Sequence, residues 1–534
     1  MLFFISVVLT TILITVFTER FIQPKATVFS AKTLALHSAI ITSLFLGLTL
    51  IVQRPIFSSL TVIIFFMIVV AVNNAKYTAL KEPLVFSDFA MFAQAFKHPR
   101  LYFGFLGLAP VIIATTIIIS LIIGVLYLEP ALPFTWQRIL STVSSIVILL
   151  FLSRRFVLTL NLSEDIETDN ATLGIVNNLF SYFMHAKAKE HDGLIKTIVE
   201  ESPFNTINLS PPPFLPLLYN DDKTVIHKPN ITVIQSESFF DARRLHPAIK
   251  KSILKNFDKI NKESLQYGKL KVPAWGANTM RTEFSFLSAI PNEKLGFHRY
   301  YPYQFLAKYQ LHTIASALKN QGYYCVCIHP HPASFFGRDK IFPKMGFDEF
   351  IDIDDFQAAE KFGPYISDET VTQKILEITQ KKTDKPLFIF VITMENHGPL
   401  HLEKTSKEEQ IEYFESNHAK DLPHELNDLT VYLRHLKNAD KMIKTLTDEY
   451  RKSEVETTLC FYGDHVPSMP TIYQQTNYQD EHSDYFIWQS NTVNDVTRDF
   501  TRKNAPTITH IESLSLDVLK AHFDTLTRHI NSIH

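Results

Sequence analysis

Apolar residues run almost unbroken through much of the first part of the chain. They then give way to short apolar bursts set between longer, polar-rich stretches. In the first regime the apolar runs lie at about residues 2–17, 34–52, 57–72, 105–128 and 139–152, most of them close to the ~20 residues that cross a bilayer. This predicts a transmembrane domain of about five helices over residues 1–155. The first run lacks a basic start and a small-residue cleavage site, so it reads as an anchor rather than a signal peptide.

Beyond Ser153 the apolar runs shorten, and residues 156–227 read as a linker with juxtamembrane helices. Its segment 210–216, with Pro211-Pro212-Pro213, is a stiff spacer that no helix can continue through. From residue 228 to 534 strand-like and helix-like patterns alternate. ITVIQ is followed by helical patterns near 249–267, after Thr279 and over 313–321, then by the strand YYCVCI. A helix near 369–380, the strand LFIFVIT, a long helix over 426–450, the strands TTLCFY and DYFIW and a helix near 514–523 complete the series. Such alternation predicts an α/β fold with a mostly parallel central sheet covered by helices on both faces.

Orientation is contested within the sequence. Five spans ending in an external domain leave Arg20, Lys25 and Lys32, then Lys76, Lys81, Lys97 and Arg100, and Arg154-Arg155, on the outer side, against the positive-inside rule. A miscounted span, or a re-entrant segment within 85–103, would remove the conflict. Charge alone favours a cytoplasmic catalytic domain.

Composition narrows the function class. With 52 basic and 54 acidic residues there is no electrostatic reason to expect a nucleic acid partner. The three cysteines, Cys325, Cys327 and Cys460, lie in predicted core strands without zinc-finger spacing, which points to buried free thiols and no disulfide framework.

The chemistry sits at four strand ends: Ser236-Glu237-Ser238, His329-Pro330-His331, Glu395-Asn396-His397 and Gly463-Asp464-His465. Parallel α/β sheets bind ligands outside the carboxyl ends of their strands, so four ends rich in Glu, His and Asp predict one shared site, in an enzyme that uses a metal. Glu237 could hold a cation, although Ser-Glu-Ser equally suits a helix cap. Asp464-His465 places two ligand types together, or forms a turn with a satisfied histidine. Thr279 follows a small-residue loop at the predicted start of a helix, where free N–H groups favour a phosphate or where it serves as an ordinary cap. His397 ends a strand in a Gly-Pro turn, where an imidazole can bind a phosphoryl oxygen or move a proton. Arg338, beside Phe336 and Asp339, offers a phosphate fork or an exposed ion pair.

Together these motifs resemble the alkaline phosphatase and sulfatase superfamily, and within it the membrane-anchored phosphoglycerol transferases of the lipoteichoic acid synthase type. The likeness covers about residues 230–490 and follows the family's order. Glu237, Thr279, Asp464 and His465 match the metal site, with Thr279 the nucleophile four residues before Glu-Phe. His397 matches the substrate histidine and Arg338 the arginine of an aromatic-x-Arg-Asp motif. Phe336 stands where some members have tryptophan and His331 where some carry an acidic group; both departures bear on headgroup and acceptor recognition.

The resemblance implies a sulfatase-like α/β domain outside the plasma (inner) membrane of a bacterium, behind a multi-pass anchor. It implies one divalent cation, with manganese the family's ion and magnesium or zinc also suited to the ligand set. The donor would be phosphatidylglycerol, and the acceptor a hydroxyl of an envelope polysaccharide or a polyglycerophosphate. Thr279 would carry the glycerophosphoryl group between them, with His397, Arg338, Phe336 and His331 around the substrate. A phosphoethanolamine transferase is the rival, although secreted members usually carry several disulfides. A sulfatase would need a C/S-x-P-x-R type motif where this chain has Thr279-Met280-Arg281. An inactive membrane-bound binding module would be marked by loss of a ligand, and all four are present.

Overall fold

The computed structural model describes residues 2–25, 30–91, 108–163, 165–186, 189–205, 228–356, 361–381, 384–415, 422–490 and 508–533. The chain divides into two compact units, Met1–Gly193 and Leu194–His534.

In the first unit, four helices among the described residues are long and apolar enough to cross a membrane: Leu2–Phe21, Ala31–Val52, Pro55–Leu80 and Trp136–Val157. Local chemistry sets their ends. Ser30 accepts a hydrogen bond from the Thr33 N–H at the start of the second, and Pro55 occupies the first turn of the third, where its missing N–H costs nothing. The remaining predicted span forms the helix Leu108–Leu128, of which Thr115–Leu128 is counted as a shorter apolar helix. Apolar side chains such as Leu13, Ile51 and Leu140 stay exposed on these helices, as lipid-facing residues do. The predicted re-entrant segment is described only as far as a 3-10 helix at Phe86–Met91, and residues 92–103 lie outside the described residues. So does the predicted proline spacer. Part of the predicted linker is helical, at Ile166–Leu173 and Ile175–Ala186. Asp165 caps the first of these, and Gly174 (φ 78°) breaks the chain between them.

The second unit is built on an eight-stranded sheet in the order β10-β2-β9-β8-β1-β7-β3-β4. The strands are β1 Asn230–Ser236, β2 Gln266–Lys271, β3 Tyr324–Ile328, β4 Glu349–Ile351, β7 Leu387–Ile392, β8 Thr457–Gly463, β9 Ser483–Gln489 and β10 Thr509–His510. A separate small hairpin pairs β5 Lys361–Phe362 with β6 Tyr365–Ile366. Strands β8, β1, β7, β3 and β4 are mutually parallel, while β9 runs antiparallel to both β8 and β2. Every residue of β1, β7 and β8 is buried, the mark of strands covered on both faces, and this is why they read as continuous apolar runs.

The helix predicted over 249–267 is shorter. The helix Lys255–Glu263 ends before Ser264, and Gln266–Lys271 is a strand lying antiparallel to β9. Its half-exposed pattern, with Gly268 inside, hid it. The helices Thr279–Ser288, Ile314–Asn320, Asp368–Gln380 and Asn427–Lys452 stand close to their predicted positions, while the helix expected near 514–523 is longer, at Ile511–Ile533.

Candidate active site

Four neighbouring parallel strands, β8, β1, β7 and β3, carry the four predicted clusters at their carboxyl ends, so one edge of the sheet gathers all of them. Ser236 of β1 is in register with Gly463 of β8, and Glu237 and Asp464 therefore leave the sheet at the same level. Gly463 is required there. A Cβ on it would sit 1.8 Å from the Phe239 carbonyl oxygen, which belongs to the chain folding back after β1. Ser238, at φ 55°, makes that fold-back: its N–H donates to Asp464 Oδ1 (2.8 Å), its hydroxyl donates to Glu237 Oε1 (2.8 Å), and its carbonyl accepts from the Tyr432 hydroxyl (2.7 Å).

His465 completes the cluster. Its Nδ1 lies 3.0 Å from the Val466 carbonyl, so Nδ1 carries the proton and Nε2 keeps a lone pair. That Nε2 is 3.3 Å from Asp464 Oδ2 and 3.6 Å from Glu237 Oε1. One ligand atom from each of Glu237, Asp464 and His465 lies within 4.8 Å of the others. Glu237 Oε2, Asp464 Oδ2 and His465 Nε2 are buried and have no hydrogen-bond partner. Buried polar atoms without partners are costly. Two carboxylates and one imidazole with converging free lone pairs fit a divalent cation. Burial, and after it the charge of Asp464, pushes Glu237 up to about 8. A cation between the carboxylates would remove that repulsion.

Thr279 is the first residue of the helix Thr279–Ser288, after Asn278 at φ 69°. Two contacts tie this helix start to the ligand turn: Gly276 N–H donates to the Val466 carbonyl (2.9 Å), and Thr282 Oγ1 donates to the Asp464 carbonyl (2.7 Å). Asn278 gives its helix no side-chain cap. His397 closes β7 in a turn where its N–H donates to the Met394 carbonyl (3.1 Å) and its Nδ1 lies 2.8 Å from the Gly398 carbonyl, leaving Nε2 as the acceptor. Burial lowers its pKa, against the Gly398 hydrogen bond and the charge of Asp464, which act in the opposite direction. The Tyr365 ring stands edge-on to His397, with centroids 5.6 Å apart.

On the β3 side, His331 packs against Phe335 (4.8 Å between centroids) and His329 (5.7 Å), and Phe336 lies under the Arg338 guanidinium at 5.3 Å. Arg338 is neither an open fork nor half of an exposed pair. It is buried, and its ion partner is Glu283, not Asp339: Nη2 reaches Glu283 Oε2 at 2.8 Å and Nε reaches both carboxylate oxygens at 3.1 and 3.2 Å. Nη1 lies 3.3 Å from His329 Nε2. Burial, and then the Arg338 charge, hold His329 well below its ordinary pKa, so it is neutral.

The sequence profile described as Sulfatase matches residues 229–515, more than half of the chain. The chain belongs to the sulfatase family. Among its relatives, the capsular polysaccharide biosynthesis protein RkpI of Rhizobium meliloti (strain 1021) is 27% identical over 84% of this chain and 80% of that protein. The lipoteichoic acid synthase-like YvgJ of Bacillus subtilis (strain 168) is 32% identical over 29% of this chain, and the match spans 24% of its own length. Among solved structures, the integral membrane lipooligosaccharide phosphoethanolamine transferase A (EptA) of Neisseria meningitidis shares the fold at 10% identity, with a TM-score of 0.51 over 92% of this chain and 95% of that one.

Sequence reasoning left Glu283, Tyr303 and His329 without roles, although all three make the setting of Arg338. The available signal was spacing: Glu283 follows Thr279 by one helical turn on the same face, in a stretch otherwise dominated by apolar and hydroxyl side chains. A second polar cluster supports the His397 turn of this sulfatase-family unit. Glu395 Oε1 accepts from Asn438 Nδ2 (2.6 Å) and lies 3.0 Å from His435 Nδ1, while His435 Nε2 is 3.2 Å from Glu403 Oε1. The Asp368 N–H donates to Glu395 Oε2 (2.6 Å), and Arg434 reaches Glu403. Burial opposes a charge on His435, but Glu395 and Glu403 outweigh it and raise it from 6.5 to about 9. A raised histidine contributes stability that is fully present below its unfolded value and lost as pH rises through its folded one. The melting temperature is therefore expected to fall between pH 6.5 and about 9. His435→Ala, which takes the imidazolium from the buried Glu395 and the partly exposed Glu403, should cost about 3 kcal/mol, the lower end for a broken buried pair, and remove that slope. A melting profile flat across this window would refute the imidazolium.

Proposed function

We propose that this protein transfers glycerol phosphate from phosphatidylglycerol to a hydroxyl of a cell-envelope glycan or a polyglycerophosphate, through a covalent intermediate on Thr279. The observation that carries the reading is the helix start bearing Thr279 held against the turn that supplies Asp464 and His465. Glu237, Asp464, His465 and the Thr279 hydroxyl would hold one divalent cation, manganese by resemblance. That cation would stabilise charge on the phosphoryl oxygens and lower the pKa of the threonine hydroxyl. Thr279 Oγ forms its bond to phosphorus as the bond to the diacylglycerol oxygen breaks. The proton lost by threonine is matched by the one that diacylglycerol gains, and neutral His397, with Nε2 free, is the group suited to pass it. In the second step the acceptor hydroxyl attacks the glycerophospho-threonine, and Thr279 recovers its proton.

The headgroup side favours glycerol over ethanolamine. It offers His331, Phe336 and the Arg338 cation, and the carboxylate in contact with Arg338, Glu283, is already engaged by Arg338 and by the Tyr303 hydroxyl. An ammonium headgroup would meet the Arg338 guanidinium, whose counter-ion Glu283 is already engaged. The relative named for capsular polysaccharide biosynthesis supports a surface glycan as acceptor. With these substrates, the catalytic unit would face outward from the bacterial plasma (inner) membrane.

Intact mass of the purified protein after incubation with phosphatidylglycerol and manganese tests the reading. The expected result is a gain of one glycerophosphoryl group, mapped to Thr279. Diacylglycerol release from phosphatidylethanolamine but not from phosphatidylglycerol would replace the donor, and release from neither would leave a membrane-bound binding module.

A further inference from the structure

We propose that Glu283 is a positioning residue that fixes the place of the Arg338 charge from the nucleophile's own helix; this rests on the reading of Thr279 and Arg338 given above. Glu283 occupies the same helix face as Thr279, one turn later, and is completely buried. It holds Arg338 through Nε and Nη2, a side-on grip along one edge that sets the guanidinium plane as well as its distance. The chain of contacts continues in both directions. Tyr303 donates its hydroxyl to Glu283, and Arg338 Nη1 faces His329 Nε2, whose Nδ1 in turn lies 3.1 Å from the Ile392 carbonyl of β7.

This relay joins the nucleophile helix to the carboxyl ends of β3 and β7, two of the strands that frame the site. The guanidinium plane is gripped along its Glu283 edge, and Phe336 covers one face. Arg338 has little freedom left. Three contacts from the helix that bears the nucleophile give the distance between Thr279 and the positive charge a mechanical basis, as partners behind ligating groups do elsewhere.

The test uses full-length protein in detergent with manganese and reads inorganic phosphate affinity, manganese affinity and melting temperature separately. Glu283→Gln, which keeps the shape and loses the charge, is expected to weaken phosphate binding about tenfold or more while manganese affinity stays near wild type. Glu283→Asp should recover part of the loss. A folded Glu283→Gln protein whose phosphate affinity is within about twofold of wild type would make Glu283 a purely structural partner. Should Glu283→Gln fail to fold, Tyr303→Phe removes one restraint on Glu283 and keeps the ion pair. It is expected to weaken phosphate binding by a few-fold at unchanged manganese affinity, and unchanged phosphate affinity would again overturn the proposal. Weaker phosphate binding in Glu283→Gln, with no diacylglycerol released by the wild type, would sustain the positioning role and remove the proposed donor.

Discussion

Thr279→Ala is expected to lower diacylglycerol release from phosphatidylglycerol by roughly a thousandfold or more, the order seen when a covalent nucleophile is deleted. Melting temperature should change little. Thr279 is mostly buried at a helix start where alanine is tolerated, and the hydrogen bonds joining that helix to the ligand turn come from Gly276 and Thr282. Cation binding should persist, because the two carboxylates and the imidazole converge without help from the hydroxyl. Thr279→Ser, which retains an oxygen nucleophile, should keep measurable turnover. The mass adduct should be absent from the alanine variant and present on the serine one. Retained transferase activity in Thr279→Ala would place the nucleophile elsewhere.

The site was legible in the sequence because of how the sheet is covered. Strands buried on both faces print as unbroken apolar runs, so the polar residues that follow β1, β3, β7 and β8 stand out as strand ends. Glu237, Asp464 and His465 could be nominated together for that reason, and they are adjacent in space. The order of the strands was hidden, since parallel neighbours are joined by long crossovers and β1 lies between β7 and β8, both remote in sequence. Arg338 shows a second limit. Its partner lies 55 residues earlier, and a sequence cannot reveal that an arginine in a polar loop is buried against a helix. The short strands β4 and β10 carry too few residues for any periodicity. β2 escaped because its half-exposed pattern matched the polar stretch of a helix.

Asp464→Asn is expected to separate folding from cation binding in opposite directions. In the metal-free protein Glu237 and Asp464 are two carboxylates in one buried pocket, and the charge of Asp464 is among the causes that raise Glu237. Asparagine keeps the side-chain shape and an oxygen able to accept from the Ser238 N–H, while removing the charge that opposes ionisation of Glu237. The metal-free variant should therefore melt close to metal-free wild type near neutral pH, where Glu237 is largely protonated, and above it once the pH passes about 8 and wild type carries both charges. Adding manganese should set the variant below wild type. A ligand at a thousand times its Kd stabilises the native state by about 4 kcal/mol, and the variant, short of one anionic donor, should forfeit most of that gain together with turnover. Calorimetric melting with and without manganese reads both effects. If Asp464→Asn melts lower than wild type without metal and still gains the full manganese shift, Asp464 is a structural carboxylate and the converging lone pairs of Glu237 and His465 are not waiting for a cation.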